Sequence, residues 1–139
     1  MNGDIVLVGG GGHCASVIDV IEQANHYRIV GIVDKEENIG KDVLGYPIIT
    51  SDDDLPKLIS QFKNMVITVG HIKSSETRAR LYSLVKVLGG ILPIISSPKA
   101  YISKHASVGE GSVILHNAVV NVGARIGANT IVNTSSVID

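Results

Sequence analysis

Two hydrophobic rhythms divide this chain. In its last third, aliphatic residues recur every six positions without a break, at Ile102, Val108, Ile114, Val120, Ile126, Val132 and Ile138. Four residues past each of the first six stands a small residue: Ala106, Ser112, Ala118, Ala124, Thr130 or Ser136. Neither a helix nor a simple alternating strand keeps a six-residue phase. It suits a parallel β-helix of triangular section, in which each hexapeptide makes one short strand and one corner. The aliphatic fills the prism and the small residue fits near the corner. Three faces make a coil of roughly eighteen residues, so the stretch supplies about two coils. The pattern reaches Asp139 one residue into a new face. An uncapped solenoid end exposes apolar core and strand edges, which predicts self-association.

The earlier residues follow a different pattern. Ile5-Val6-Leu7-Val8 is a continuous apolar run ending in four glycines, which predicts a buried strand. Val17, Ile18, Val20 and Ile21 have helical spacing, predicting a helix over 13–23, and residues 29–33 predict a second strand closed by Asp34. Such a β-loop-α-β unit favours parallel strands. After a polar stretch over 35–45, Pro47-Ile48-Ile49 is too short to assign. Ser51-Asp52-Asp53-Asp54 predicts a capped helix start before Leu55. A third buried strand over 65–69 ends at Gly70, and a helix over 74–88 is stopped by Gly89-Gly90. Arg78 and Arg80 lie near the start of that helix, where they do not complement its dipole. Residues 91–95 suggest a last strand, at an edge if Pro93 lies within it. The predicted fold class is α/β: a small Rossmann-like, doubly wound parallel sheet domain over 1–97, followed over 98–139 by the first coils of a parallel β-helix.

Composition narrows the function. The 139 residues carry a formal net charge of −1 and 45% hydrophobic residues, and the Lys and Arg positions are scattered. That argues against nucleic acid as a partner. One cysteine, Cys14, cannot form an internal disulfide and suits a reducing compartment, so a cytoplasmic location is expected. The amino-terminal apolar run is broken by glycines too early for a signal peptide or membrane span. No His or Cys spacing predicts a metal site.

Chemistry is suggested at the glycine run. Gly10-Gly11-Gly12-His13-Cys14-Ala15 fits G-x-G-x-x-G/A between strand and helix, with Asp34 about twenty residues on. Glycines let backbone amides approach a phosphate, and the helix start adds partial positive charge. Diphosphate binding is expected, with Asp34 accepting hydrogen bonds from ribose or base. Spacing alone does not separate NAD from a nucleotide sugar, and the bland alternative is a tight turn packed on Ala15. His13 is either tied to the loop or directed at a phosphate or sugar. Cys14, with no base in sequence reach, is expected to be structural. Gly70, His71 and Lys73 follow a strand end at the ligand-binding edge of an open sheet, as contacts or as solvated loop. Among the hexapeptides, His105, His116, Asn117, Asn121, Arg125, Asn129 and Asn133 read mostly as solvated or turn residues.

Val8-Gly9-Gly10-Gly11-Gly12-His13, Val33-Asp34, the opening Ala100-Tyr101-Ile102-Ser103 and the closing Asn133-Thr134-Ser135-Ser136-Val137-Ile138-Asp139 together carry a resemblance over essentially the whole chain. It resembles the bacterial sugar acyltransferases, both the amino-sugar N-acetyltransferase and the sialic-acid O-acetyltransferase type. The resemblance implies that the Rossmann-like domain holds a nucleotide-linked sugar, UDP- or CMP-linked. It also implies a left-handed β-helix that forms a homotrimer, with acetyl-CoA as co-substrate between adjacent β-helices. The general base would be a histidine immediately after the Ile-acid pair, so Asp139 would neighbour a base this chain lacks. By the same resemblance Gly10, Gly11, Gly12 and His13 lie near the diphosphate, Asp34 near the nucleoside and Asn133 near the acceptor sugar. The family's linker histidine is replaced here by Ser96-Ser97. The chain is expected to bind and not to catalyse. The alternatives are a non-catalytic nucleotide-sugar-binding module and, less well matched, an NAD-dependent oxidoreductase.

Overall fold

A computed structural model describes residues 3–70 and 75–139, so His71 and Lys73 lie outside the described residues. The front of the chain forms β1 (Asp4–Val8), α1 (Gly12–Ala24), β2 (Arg28–Val33), β3 (Asp42–Val43), β4 (Tyr46–Thr50), α2 (Leu55–Gln61), β5 (Asn64–Ile67) and α3 (Ser75–Val87). One five-stranded sheet has the order β3-β4-β2-β1-β5, parallel throughout except for the antiparallel β3–β4 pair. Successive side chains of β1 enter opposite layers. Ile5 and Leu7 pack with Val17, Ile18 and Ile21 of α1, while Val6 and Val8 pack with Leu55, Leu58, Leu81 and Val85 of α2 and α3. Coverage on both faces explains why the strand reads as a continuous apolar run.

Three local expectations change. The segment around Pro47 is a full strand, with Ile48 buried and paired with Ile32. Its hairpin to β3 turns through Leu44 and Gly45, both at positive φ, and the Gly45 amide donates to Asp42. At Ser51 and Asp54 no side chain caps a helix amide. Instead the Thr50 hydroxyl donates to Asp54 and Asp52 pairs with Arg80. Finally, the strand expected over 91–95 is divided. Ile91 bridges to Asn64 in the sheet, whereas β6 (Ile95–Ser96) joins the coils. Pro93 between them has no amide to continue a ladder.

The hexapeptides fold with the predicted phase. β7 (Tyr101–Ile102), β8 (Ser107–Val108), β9 (Val113–Ile114), β10 (Val119–Val120), β11 (Arg125–Ile126), β12 (Ile131–Val132) and β13 (Val137–Ile138) each end on one of the repeating aliphatics. Strands pair in parallel eighteen positions apart, forming the faces β6-β9-β12, β8-β11 and β7-β10-β13. Ile114, Val120, Ile126 and Val132 fill the prism with Ala118 and Ala124. Corners at Gly111, Asn117, Gly123, Asn129 and Ser135 all have positive φ.

Each face meets different surroundings. Val113 on the first face is buried in the cluster that holds α1, against which Ile131 also packs, so this face docks on the α/β layer. The second face presents Ser107 and Arg125 outward. The third presents Tyr101, Val119 and Val137 in register, with Tyr101 and Val137 about 60% exposed. Polar ties reinforce the docking: Tyr82 and Lys86 of α3 donate to Glu110, and His116 lies between Asp19 of α1 and Ser97. His116 and Asn129 are therefore joints between layers as well as coil residues. No helix among the described residues is long and apolar enough to cross a membrane.

Candidate functional site: a glycine crevice at the sheet edge

The chain leaves β1 toward β2 and β4 and returns on the other side of β1 at β5. β1 and β5 therefore flank a switch point, where ligands of open α/β sheets bind beyond the strands' carboxyl ends. The loops after these two strands hold the predicted residues.

Gly9 sets the turn. Its φ of +126° disfavours any side chain, and a Cβ would stand 2.6 Å from Val69 Cγ2 and 2.9 Å from the Val69 amide nitrogen. Its amide donates to the Val33 carbonyl, and its own carbonyl accepts from the Thr68 hydroxyl at 2.5 Å. The sequence motif began one residue later and passed over Gly9. Gly10 lies against Asp34, where a Cβ would be 2.9 Å from Oδ2. That carboxylate oxygen accepts from Asn38 Nδ2 at 2.9 Å, and Lys41 Nζ donates to Asn38 Oδ1 at 3.1 Å. The acid is thus held against the glycine loop.

At Gly11 and Gly12 a Cβ would meet nothing within 4 Å. α1 starts here with no side-chain cap and no acid in its first turn. Among the described residues, the Gly11 and Gly12 amides donate no hydrogen bond. Free amides at a helix start beside open space form an anion cradle. Gly70 closes the other side, with its Cβ position 3.4 Å from His13 Cβ. The fold thus gathers Gly10, Gly11, Gly12, His13, Asp34 and Gly70 around one crevice.

Cys14 is buried beneath the cradle, and burial pushes its thiol up to about 11, opposed by a hydrogen bond with Thr68. A thiol protonated at neutral pH is no nucleophile. Ser97, His116 and Asp19 form a hydrogen-bonded line of 2.5 Å and 2.8 Å. Ser97 is only 4% exposed and already accepts from the Lys99 amide, so this line ties layers together and presents no nucleophile. Asn133 and Asp139 are exposed on successive coil corners. Among the described residues neither has a hydrogen bond to the crevice; Asp139 accepts from Asn121 Nδ2, one coil below. No cluster of metal-ligating side chains occurs among the described residues. The open amides suit a phosphate-bearing ligand, and among the described residues no metal-ligating cluster lies beside them.

A model of the PglD N-terminal domain family matches residues 4–85. No curated protein matches the chain. Among solved structures, PerB from Caulobacter crescentus, in complex with CoA and GDP-perosamine, superposes with a TM-score of 0.89 at 28% identity. The match covers all of this chain and 64% of PerB. The acetyltransferase domain of PglB from Neisseria gonorrhoeae is also similar, at TM-score 0.85 and 28% identity over 98% of this chain and 64% of that one. Its complex with acetyl coenzyme A gives 0.85 at 26% identity, over 100% and 65%. The chain thus spans about 64% of the length of these first relatives. With the family model covering more than half of its residues, and a fold shared over the whole of this chain, the chain belongs to the PglD N-terminal domain family.

Proposed function

We propose that the crevice binds the diphosphate of a nucleotide-linked amino sugar, and that the chain serves an acetyl-CoA-dependent sugar N-acetyltransferase. The observation that carries this reading is the open space and undonated amides at Gly11 and Gly12, with Asp34 held beside them. Asp34 Oδ2 is occupied by Asn38, which leaves Oδ1 to accept from the nucleoside. PerB was solved with GDP-perosamine and CoA, which supports a nucleotide sugar as acceptor and acetyl-CoA as donor. In that chemistry the sugar amine attacks the thioester carbonyl to form the new C–N bond, a general base takes the amine's proton, and the C–S bond breaks to release coenzyme A as its thiol. The coils, with Asn133 and Asp139 on their corners, are the proposed seat of that step. A cytoplasmic setting accords with the single buried thiol Cys14.

Calorimetry with UDP-, CMP- and GDP-linked amino sugars, and with NADH, tests the reading. Heat with at least one nucleotide sugar and none with NADH is expected. Binding of NADH alone would favour the oxidoreductase alternative and overturn it.

Self-association through the third coil face belongs to the same proposal. Exposed Tyr101 and Val137, with half-buried Val119 between them, form an apolar ladder, and Val122 at the next corner is 69% exposed. A homotrimer that buries this ladder accords with the family resemblance. Light scattering is expected to show a multimer for the native chain and a monomer for Val137→Asp, with unchanged circular dichroism. A native chain that stays monomeric at high concentration contradicts the assignment.

A further inference from the structure

Among the described residues the largest fully buried side chain is a charged one, Arg78, at 0% exposure. No carboxylate among the described residues pairs with it. Its guanidinium, among the described residues, donates to backbone carbonyls alone: Nη1 to Ile67 at 2.7 Å and Val69 at 3.1 Å, Nε to Asn129 at 3.0 Å and Nη2 to Gly111 at 3.5 Å. Asn129 Nδ2 returns a bond to the Arg78 carbonyl at 3.3 Å. Burial brings this guanidinium down to about 10. A buried cation without a counter-charge is costly unless every donor finds a partner. Its retention here therefore points to what it holds.

Two pairs of carbonyls meet at this one group. Ile67 ends β5 and Val69 lies in the loop two residues beyond it, in the wall facing the glycine loop, where Val69 abuts Gly9 and Gly70 abuts His13. Gly111 and Asn129 are coil corners in consecutive coils, both at positive φ. The planar fork of arginine can reach all four at once, and the ammonium of lysine cannot. We propose that Arg78 is a positioning residue that holds the nucleotide crevice in register with the coil corners, so that the two sites behave as one unit. The proposal rests on the reading of the crevice as a nucleotide-sugar site, and by linkage it makes ligand on the glycine loop tighten the corners at Gly111 and Asn129.

Amide hydrogen exchange on the full chain tests this with and without ligand. Without ligand, Arg78→Lys is expected to speed exchange roughly tenfold or more at Gly9 and Thr68 and equally at Gly111 and Asn129, leaving the Tyr101 and Ser107 amides unchanged. Should that variant fail to fold, Asn129→Gly keeps the left-handed corner while removing the Nδ2 bond, and a smaller acceleration on both sides is expected. Acceleration on one side only, or at Tyr101 and Ser107 as well, would overturn the proposal. With ligand, UDP- or GDP-linked amino sugar is expected to slow exchange at Gly111 and Asn129 in the native chain. Unchanged exchange there despite calorimetric binding would likewise overturn it. If the native chain binds no nucleotide sugar, the reading of the crevice fails, and the ligand-free comparison still decides the role of Arg78.

Discussion

An alanine at Gly109 is expected to wedge the coils apart. Its Cβ would lie 2.4 Å from the Ala128 nitrogen and 2.6 Å from the Gly127 carbonyl carbon, backbone atoms of the neighbouring coil. The two coils meet here because the Gly109 amide donates to Ile126 at 2.8 Å, so backbone cannot withdraw without breaking the ladder. Overpacking of this kind costs about 1–3 kcal/mol, occasionally more. Gly127→Ala is the control, since its Cβ would meet only Thr130 Oγ1 at 3.8 Å. Urea denaturation followed by far-ultraviolet circular dichroism should show a clearly lowered midpoint for Gly109→Ala and a small change for Gly127→Ala. Equal midpoints for the two variants would mean that the coil stack is looser than described.

Gly11→Val is expected to abolish nucleotide-sugar binding while leaving the fold intact. The residue has φ −83° and open space around it, so valine fits the backbone without strain. The same space is where a diphosphate must approach the Gly11 and Gly12 amides. Hydrogen bonds to a charged group contribute about 1.5–3 kcal/mol each. Losing two weakens binding roughly a hundredfold or more. Calorimetry should show the loss, and an unchanged melting curve should show that the domain survives. Undiminished affinity in Gly11→Val would place the ligand elsewhere.

The hexapeptide coils were legible because their code is strictly periodic. Every repeating aliphatic is the second residue of a strand, and partners stand one coil apart. The glycine crevice was legible for a similar reason, since strand, glycines, helix and acid follow one another in sequence. What escaped depends on distant or unusual backbone. The β3–β4 hairpin turns through Leu44 at φ +50°, a conformation that residue type seldom signals. Gly9 is fixed by its approach to Val69, sixty residues on. In sequence Arg78 shows only as a charge that does not complement its helix dipole, because its four acceptors come from positions 67, 69, 111 and 129, which only tertiary folding assembles. His116 read as a coil-surface residue for the same reason, its partners being Ser97 and Asp19.

The glycine crevice of this chain is proposed as a nucleotide-sugar site. Titration of the isotope-labelled chain with UDP- and GDP-linked amino sugars, followed residue by residue in nitrogen–proton spectra, tests it most directly. Saturable shifts centred on Gly10, Gly11, Gly12, His13 and Gly70 are expected, with smaller changes at Asp34 and Asn38. Shifts confined to the coil surface, or none at millimolar ligand, would contradict it.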